Sequence, residues 1–450
     1  MNLDPFFHSK NIAIIGASRE PGKIGNTILK QLINKNFNLY PINPNAEDIL
    51  GLKCYKSVLQ IPTKIELAII ATPGELVPAI LDQCGKKDIK HAIIISAGFK
   101  EIGNTKLEKE LQDKLKANKI TAIGPNCLGV YDAHTQLDTL FLPKERLQRP
   151  KPGTISIVSQ SGATGSVILD LSAYENYGIA KFISYGNATN TNETDILEYL
   201  SKDPDTKIIC LYVEGITNGK RFLEVAKNCK KPIIAIKSGT TTEGSKAAKS
   251  HTGSLAGTAE IYYGAFKQAN ITIAHKMEEL FEFAKIFEKL KIKASGNKVQ
   301  IITNGGGYGI LTTDATIHYG LKLAQIGKEI KKLQKQFPPT VIVSNPIDLL
   351  GDADTQRYKL AIDAAIKDTQ NDSIIIDVLT QIPRLDEGIL DVLKDANKKT
   401  HKPLIVVMTG SEYTQELKRK IEAIGIPCFT FPENAIRALA AYTHYCIQNQ

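Results

Sequence analysis

Asn11-Ile12-Ala13-Ile14-Ile15-Gly16-Ala17-Ser18-Arg19-Glu20-Pro21-Gly22-Lys23-Ile24-Gly25 is the first patterned stretch of the chain. A short β-branched apolar run passes through a glycine-bearing loop into a helical pattern, the order expected of a parallel α/β unit. Such a loop offers backbone N–H groups and a helix dipole to a phosphate. It is not the G-x-G-x-x-G fingerprint, and the following strand ends Pro41-Ile42-Asn43-Pro44, without an acidic residue to hold an adenosine ribose. A nicotinamide cofactor therefore ranks below another adenine-containing ligand with extra phosphates.

The same alternation of short apolar strands and longer helical patterns continues to the other end of the chain, which predicts parallel sheets wrapped by helices. With 450 residues, at roughly 150 per domain, about three domains are expected. The first, 1–150, carries strands at 11–15, 37–42, 67–71, 91–96 and 119–123 and ends in the Pro-rich segment Pro143 to Pro152. A turn at Lys151-Pro152-Gly153 starts the second, 151–293, with strands near 154–159, 179–184, 207–213 and 232–237 and a closing helix at about 277–291. The polar break Lys293 to Asn297 introduces the third, 297–450, with strands near 298–303, 321–325, 373–378, 403–408 and 427–431.

Hydrophobic residues make up 42% of the chain and charged residues 23%, an ordinary globular composition with no apolar run near the ~20 residues that span a bilayer. Met1 to Lys10 is short and lacks the pattern of a secretory or transit segment, so a cytoplasmic location is expected. Seven scattered cysteines with no C-x-x-C spacing read as reduced, mostly buried thiols. The net charge of +9 comes from dispersed lysines such as Lys86-Lys87 and Lys398-Lys399, which argues for solvated helix faces over a nucleic-acid surface. That positive field would also favour an anionic, phosphorylated ligand.

In an open parallel sheet, ligands bind at the carboxyl ends of the strands. In the first domain those ends carry Gly16-Ala17-Ser18, Ala71-Thr72-Pro73, Ser96-Ala97-Gly98-Phe99 and Gly124-Pro125-Asn126-Cys127. Each alone reads equally as a plain turn; together on one edge they read as a crevice. In the second domain three features share one edge. Strand 154–158 leads through Ser159-Gln160-Ser161-Gly162-Ala163-Thr164-Gly165 into a helix, an anion site made of free N–H groups. Strand 207–213 ends at Glu214-Gly215, and the long loop after strand 232–236 carries His251 within Lys249-Ser250-His251-Thr252-Gly253-Ser254-Leu255-Ala256-Gly257. Alone, that last segment reads as a surface loop and Glu214 as a helix cap. Brought together, a carboxylate, a phosphate-binding helix start and an imidazole among glycines and hydroxyls suit a phosphoryl carrier, with Glu214 fixing the tautomer and stabilising the imidazolium.

Gly16-Ala17-Ser18 with Lys23-Ile24-Gly25, Gly124 to Gly129, Ser159-Gln160-Ser161-Gly162 and above all Ser250 to Gly257 resemble the ADP-forming acyl-CoA (acetyl-CoA) synthetases of the succinyl-CoA synthetase superfamily. The resemblance runs in order along essentially the whole chain. It implies a Rossmann-like CoA-binding domain followed by two flavodoxin-like parallel-sheet domains. It also implies that Gly16, Ser18, Lys23, Gly25, Asn43, Pro44, Thr72 and Pro73 hold the CoA nucleotide, with Ala97, Gly98 and Asn126 near the pantetheine end. His251 would carry the phosphoryl group with Glu214 as its partner, and Ser161, Gly162 and Gly165 would form the phosphate-binding helix start. In the third domain Asn304-Gly305-Gly306-Gly307-Tyr308-Gly309 joins a strand to a helix, and by the resemblance Gly305, Gly306 and Gly307 form a second phosphate-facing helix N-terminus; a ligand-free glycine turn is the plainer alternative.

The expected activity is the reversible conversion of acyl-CoA, ADP and phosphate to acid, CoA and ATP, by way of an acyl phosphate and phosphohistidine at His251. No ATP-grasp module or Walker loop is legible, so an α subunit is expected, completed by a separate ATP-grasp β subunit that binds ADP or ATP with Mg²⁺, in an α₂β₂ assembly. No metal site on this chain, no nucleic acid and no membrane partner are expected. The alternative is a non-catalytic CoA-binding or sensing protein of the same fold. Asp195, Asp348 and Asp352 suit substrate or partner contacts and helix capping equally well.

Overall fold

The computed structural model describes residues 1–246 and 258–449, which fall into two compact units, the chain passing from one to the other between His275 and Lys276. The first unit holds two large sheets. In one, β1 (Asn11–Ile15), β2 (Asn38–Ile42), β5 (Leu67–Ile70), β6 (His91–Ile94) and β7 (Thr121–Ile123) run parallel in the order β2-β1-β5-β6-β7, while β3 (Asp48–Ile49) and β4 (Leu52–Lys53) form a small separate ribbon. The order reverses between β1 and β5, which opens a crevice at their carboxyl ends. Helices α1 (Pro5–His8), α2 (Ile24–Leu32), α3 (Val77–Lys86) and α4 (Thr105–Asn118) accompany this sheet. Its strands β1, β5 and β6 are buried on both faces, as their near-continuous Ile, Leu and Ala runs require.

The second sheet has seven strands: β8 (Gly129–Asp132), β9 (Leu137–Asp138), β10 (Pro152–Ser159), β11 (Ile179–Ser184), β12 (Ile208–Val213), β13 (Ile233–Lys237) and β14 (Thr272–Ala274), in the order β14-β13-β12-β10-β11-β8-β9. Its helices include α5 (Gly162–Tyr174), α6 (Glu193–Lys202), α7 (Gly219–Asn228) and α8 (Ala259–Gln268). Here the fold departs from the expected boundary at 150. Residues 129–138, assigned to the first domain, add an antiparallel hairpin to the second sheet, with β8 on β11 and β9 on β8. The physical reason is burial: Gly129, Val130, Tyr131 and Asp132 are all buried, and Asp132 faces the equally buried Lys181 across the pair at 3.3 Å.

The second unit is built on a six-stranded parallel sheet. Its strands are β15 (Lys298–Thr303), β16 (Lys322–Leu323), β17 (Ile347–Asp348), β18 (Ser373–Asp377), β19 (Leu404–Val407) and β20 (Cys428–Phe429). The backbone order is β16-β15-β18-β19-β20, and β17 also pairs β15. The strands expected at 321–325 and 427–431 are thus only two residues each. Helix α9 (Met277–Lys289), expected to close the second domain, packs against elements of this unit. Its buried Leu280, Phe283 and Ile286 form an apolar stripe, and Phe287 meets Tyr442 and Tyr445 of the last helix edge to face at 5.2 and 5.1 Å. Glu282 completes the seam with a 2.7 Å ion pair to Arg437.

Six of the seven cysteines are buried and Cys229 is half-buried; burial pushes the Cys84, Cys127, Cys210 and Cys428 thiols up to about 12. Among the described residues, no helix is long and apolar enough to cross a membrane.

Candidate functional site

A cleft of about 1300 Å³ in the first unit is lined by the strand-end loops of both its sheets. It exceeds the ~300–1,000 Å³ of ordinary small-ligand pockets, a size suited to a long ligand. At one end Gly16 adopts φ +90°, and a Cβ there would stand 2.3 Å from the Ala71 carbonyl oxygen. Gly25, in the first turn of α2, is tighter still: its Cβ would fall 2.0 Å from the Gly16 oxygen. Only glycine lets the helix start close on the loop, which leaves N–H groups turned to the cleft.

Ser18, Lys23, Asn43, Thr72, Pro73, Ala97 and Asn126 line this cleft as expected of ligand-facing residues, whereas Pro44, Gly98 and Gly165 are not among its lining residues. Asn43 spends its side chain on the loop itself, donating to the Ala17 carbonyl at 2.8 Å and accepting from the Asn45 N–H at 2.9 Å. Its observed work is to brace the Gly16–Ser18 loop. Two hydroxyl oxygens in the cleft, Thr72 Oγ1 and Ser96 Oγ, are buried with no hydrogen-bond partner among the described residues. Buried polar atoms in native proteins are almost always paired, so these two point to a polar ligand. From the sequence Ser96 was read only as part of the Ser96–Phe99 turn, with no role for its hydroxyl.

The two sheets are joined in the cleft wall by a hydrogen-bonded cluster. Asn187 donates to Glu101 at 2.7 Å, Lys100 Nζ donates to the Asn187 carbonyl at 2.6 Å, and Asn126 donates to Asn187 Oδ1 at 3.4 Å. Burial pushes the Glu101 carboxyl up, but hydrogen bonds from Asn187 and from the Gly98 and Phe99 N–H groups outweigh it and hold it below its usual range. An ionised Glu101 therefore ties the first-sheet loop to the second-sheet loop.

At the other end of the cleft Ser161 caps α5, its Oγ accepting from Thr164 N at 3.2 Å, and Gly165 N bonds the Ser161 carbonyl at 2.9 Å. The N–H groups of Gly162 and Ala163 then remain for an anion in the cleft they line. Gly165 plays another part: a Cβ there would meet the Phe182 ring at 2.8 Å, so it permits α5 to pack on β11. Glu214, only 6% exposed, follows β12 and lines the same end. Beyond it Lys237, at the end of β13, lies 4.8 Å over the Tyr262 ring; burial lowers its ammonium pKa, and Glu214 works against that shift.

Two further lining groups were given no side-chain role from the sequence. Glu193, 1% exposed, opens α6, and burial with neighbouring Asp195 raises its carboxyl above the usual range despite a hydrogen bond from Thr194. Gln160 bridges to the Glu214 strand end, its Oε1 accepting from the N–H groups of Glu214 and Gly215 at 2.9 and 3.1 Å. Partners 54 and 55 residues away carry no local signal.

His251 and its neighbours from Ala247 to Gly257 lie outside the described residues. Gly305, Gly306 and Gly307 belong to the second unit, where Gly305 precedes helix α10 (Gly306–His318) and a Cβ on Gly306 would stand 2.9 Å from Asp348 Oδ2. Asp348 accepts from Leu350 N at 2.9 Å, and Asp352 pairs with Arg357 at 2.7 Å. Asp195 forms a capping box with Asn192 on α6 and an ion pair with Arg221 at 2.7 Å. All three aspartates thus have local structural partners.

Three family models match in tandem: a CoA binding domain over residues 10–133, a succinyl-CoA ligase-like flavodoxin domain over 152–287 and a Ligase-CoA domain over 299–446. The acetate–CoA ligase [ADP-forming] of Methanocaldococcus jannaschii is 42% identical over 447 residues, 98% of this chain, which spans 63% of that relative's length. The acetate–CoA ligase [ADP-forming] I subunit alpha of Pyrococcus furiosus is 38% identical, with 98% of this chain and 97% of that one covered. The solved structure of the dinucleotide-forming acetyl-coenzyme A synthetase 1 of Ca. Korarchaeum cryptofilum, in complex with phosphate and ADP, superposes with a TM-score of 0.92 at 35% identity, covering 100% and 99% of the two chains. Tandem domains and end-to-end similarity agree: this chain belongs to the ADP-forming acetate–CoA ligase family.

Proposed function

We propose that the chain is the α subunit of an ADP-forming acyl-CoA synthetase, catalysing the reversible reaction of acyl-CoA, ADP and phosphate to acid, CoA and ATP. The observation that carries this reading is the continuity of one cleft from the Gly16–Ser18 loop to the α5 start and Glu214. CoA would lie along the first-sheet loops, with Thr72 and Ser96 supplying unused hydroxyls. A phosphate oxygen attacks the thioester carbonyl carbon, the carbon–sulfur bond breaks, and the proton from phosphate goes to the departing CoA sulfur. The resulting acyl phosphate transfers its phosphoryl group to an imidazole nitrogen of His251, the phosphorus–oxygen bond to the acyl group breaks, and the carboxylate leaves. A terminal phosphate oxygen of ADP then attacks that phosphorus, the phosphorus–nitrogen bond breaks, and ATP and the free imidazole of His251 result.

Within this scheme Glu214 stabilises the cationic imidazole, and the Gly162 and Ala163 N–H groups hold the phosphoryl oxygens; positioning and fixed dipoles do most of the work. Gly305–Gly307 would supply the second helix start. The nucleotide and its Mg²⁺ would sit on a separate ATP-grasp β subunit, in an α₂β₂ assembly. The test is incubation of the chain with acetyl-CoA and radiolabelled phosphate. Acid-labile, base-stable label at His251 is expected, absent in His251→Ala and lowered about 10²-fold in rate in Glu214→Gln. CoA binding with no label, even with a matched β subunit and several acyl-CoAs, would favour a CoA-binding protein without turnover.

A further inference from the structure

Gln160 stands between the buried Ser159 and the helix cap Ser161, and its side chain reaches the cleft wall that also carries Glu214. Its Oε1 is held by three donors: Glu214 N at 2.9 Å, Gly215 N at 3.1 Å and the Tyr185 hydroxyl at 3.3 Å. The two backbone groups can only donate, so the amide cannot be flipped without setting N–H against N–H. Tyr185 is fully buried, and burial with nearby Glu193 and Glu214 drives its hydroxyl well above its ordinary range, so it too remains a donor. The carboxamide oxygen is therefore spent, and Nε2, with its two donor hydrogens, meets no acceptor among the described residues. Gln160 lines the same cleft as Gly162 and Ala163, whose N–H groups open α5.

We propose that Gln160 is a catalytic residue: its Nε2 donates a hydrogen bond to an anionic oxygen of the phosphoryl group that reacts in this cleft. The inference rests on the acyl-CoA synthetase reading given above and adds a neutral side-chain donor to the backbone donors of the α5 start. A neutral amide suits the position because the phosphoryl group must be bound and then passed on. A fixed cation would hold it more tightly in the ground state without the same gain in the transition state. The oxygen anchors explain why the amide is already aimed before phosphate arrives.

Gln160→Glu keeps the shape and an oxygen for the Glu214 and Gly215 N–H groups while replacing the donor with a second acceptor. Gln160→Met keeps the length and removes both functions. The rate of acetyl-CoA-dependent phosphate incorporation is measured for the wild-type chain and both variants, varying phosphate and acetyl-CoA separately, with thermal unfolding as a check on the fold. Both variants are expected to lose about 10²-fold in labelling rate, with the phosphate KM raised and the acetyl-CoA KM within about twofold of wild type. If Gln160 only braces the Glu214 strand end, Gln160→Glu labels at the wild-type rate, which overturns the proposal. A rise confined to the acetyl-CoA KM also overturns it, since the donor would then face the thioester. Wild-type chain that takes no label from phosphate, even with a matched β subunit and several acyl-CoAs, brings down the parent reading; labelled wild type with unchanged Gln160→Glu brings down this inference alone.

Discussion

Asp377 ends β18 with no exposed surface, and its Oδ1 has no hydrogen-bond partner among the described residues. Burial raises its carboxyl to about 7, although a 2.7 Å hydrogen bond from Thr312 works in the opposite direction. The folded state therefore holds this proton more tightly than the unfolded chain does. The stability so gained is complete below about pH 4 and is lost as pH rises through about 7. Asp377→Asn, neutral throughout, should flatten that slope: relative to wild type the variant gains on the order of a few kcal/mol between pH 4 and 8. Urea midpoints at the two pH values check this, and an equal offset at both would assign the proton elsewhere. The same single-residue view explains what was legible in the loops. Gly16 and Gly25 stand in a strand–loop–helix order that points to close backbone approach before any coordinate is known. Gly165, in an equally suggestive loop, yields to the Phe182 ring, a neighbour 17 positions on whose contact depends on how α5 crosses β11.

Strands are the elements that composition reveals best. Runs such as Ile12–Ile15, Leu67–Ile70 and Ile374–Ile376 are apolar without alternation because both faces are covered, and they stand close to where their pattern placed them. The β8–β9 hairpin was not legible, since Gly129-Val130-Tyr131-Asp132 is short and its partner β11 lies some 50 residues on. What secures it is Lys181 of β11, fully buried, paired with Asp132 at 3.3 Å, Asp203 at 2.9 Å and Asp205 at 3.5 Å, and lying 5.5 Å over the Phe7 ring. Burial pulls this ammonium down, but Asp132 and Asp203 more than compensate and hold it above its ordinary value. One cation thus fastens β8, β11, the turn before β12 and the N-terminal helix. Lys181→Met would strand two buried carboxylates and should cost about 3–5 kcal/mol, read as a lowered urea midpoint at neutral pH. The double variant Lys181→Met/Asp132→Asn should recover part of that loss; no recovery would mean that packing of the lysine stem, not charge, was lost.

At the scale of the molecule, tandem α/β organisation was legible from end to end, because each βα repeat announces itself locally. The packing of individual helices was not, because a helix such as α9 carries an apolar stripe without an address: the aromatic partners Tyr442 and Tyr445 lie more than 150 positions away. The candidate site shows the same limit. Its loops were visible, whereas the aim of the Gln160 amide depends on donors brought in from β12. The hairpin at 129–138 has a consequence for how the protein can be divided. Its residues follow the first sheet in sequence and complete the second in space, and Arg149 bonds both Asp138 of β9, at 2.9 Å, and Gln31 of α2. A fragment ending at residue 150 should carry away two strands and leave β11 with a bare edge, so both pieces should aggregate when expressed apart, as sedimentation would show. Recombination between relatives faces the same seam: a crossover at the apparent linker cuts through a sheet, and a viable exchange of CoA-binding modules must be spliced upstream of Gly129.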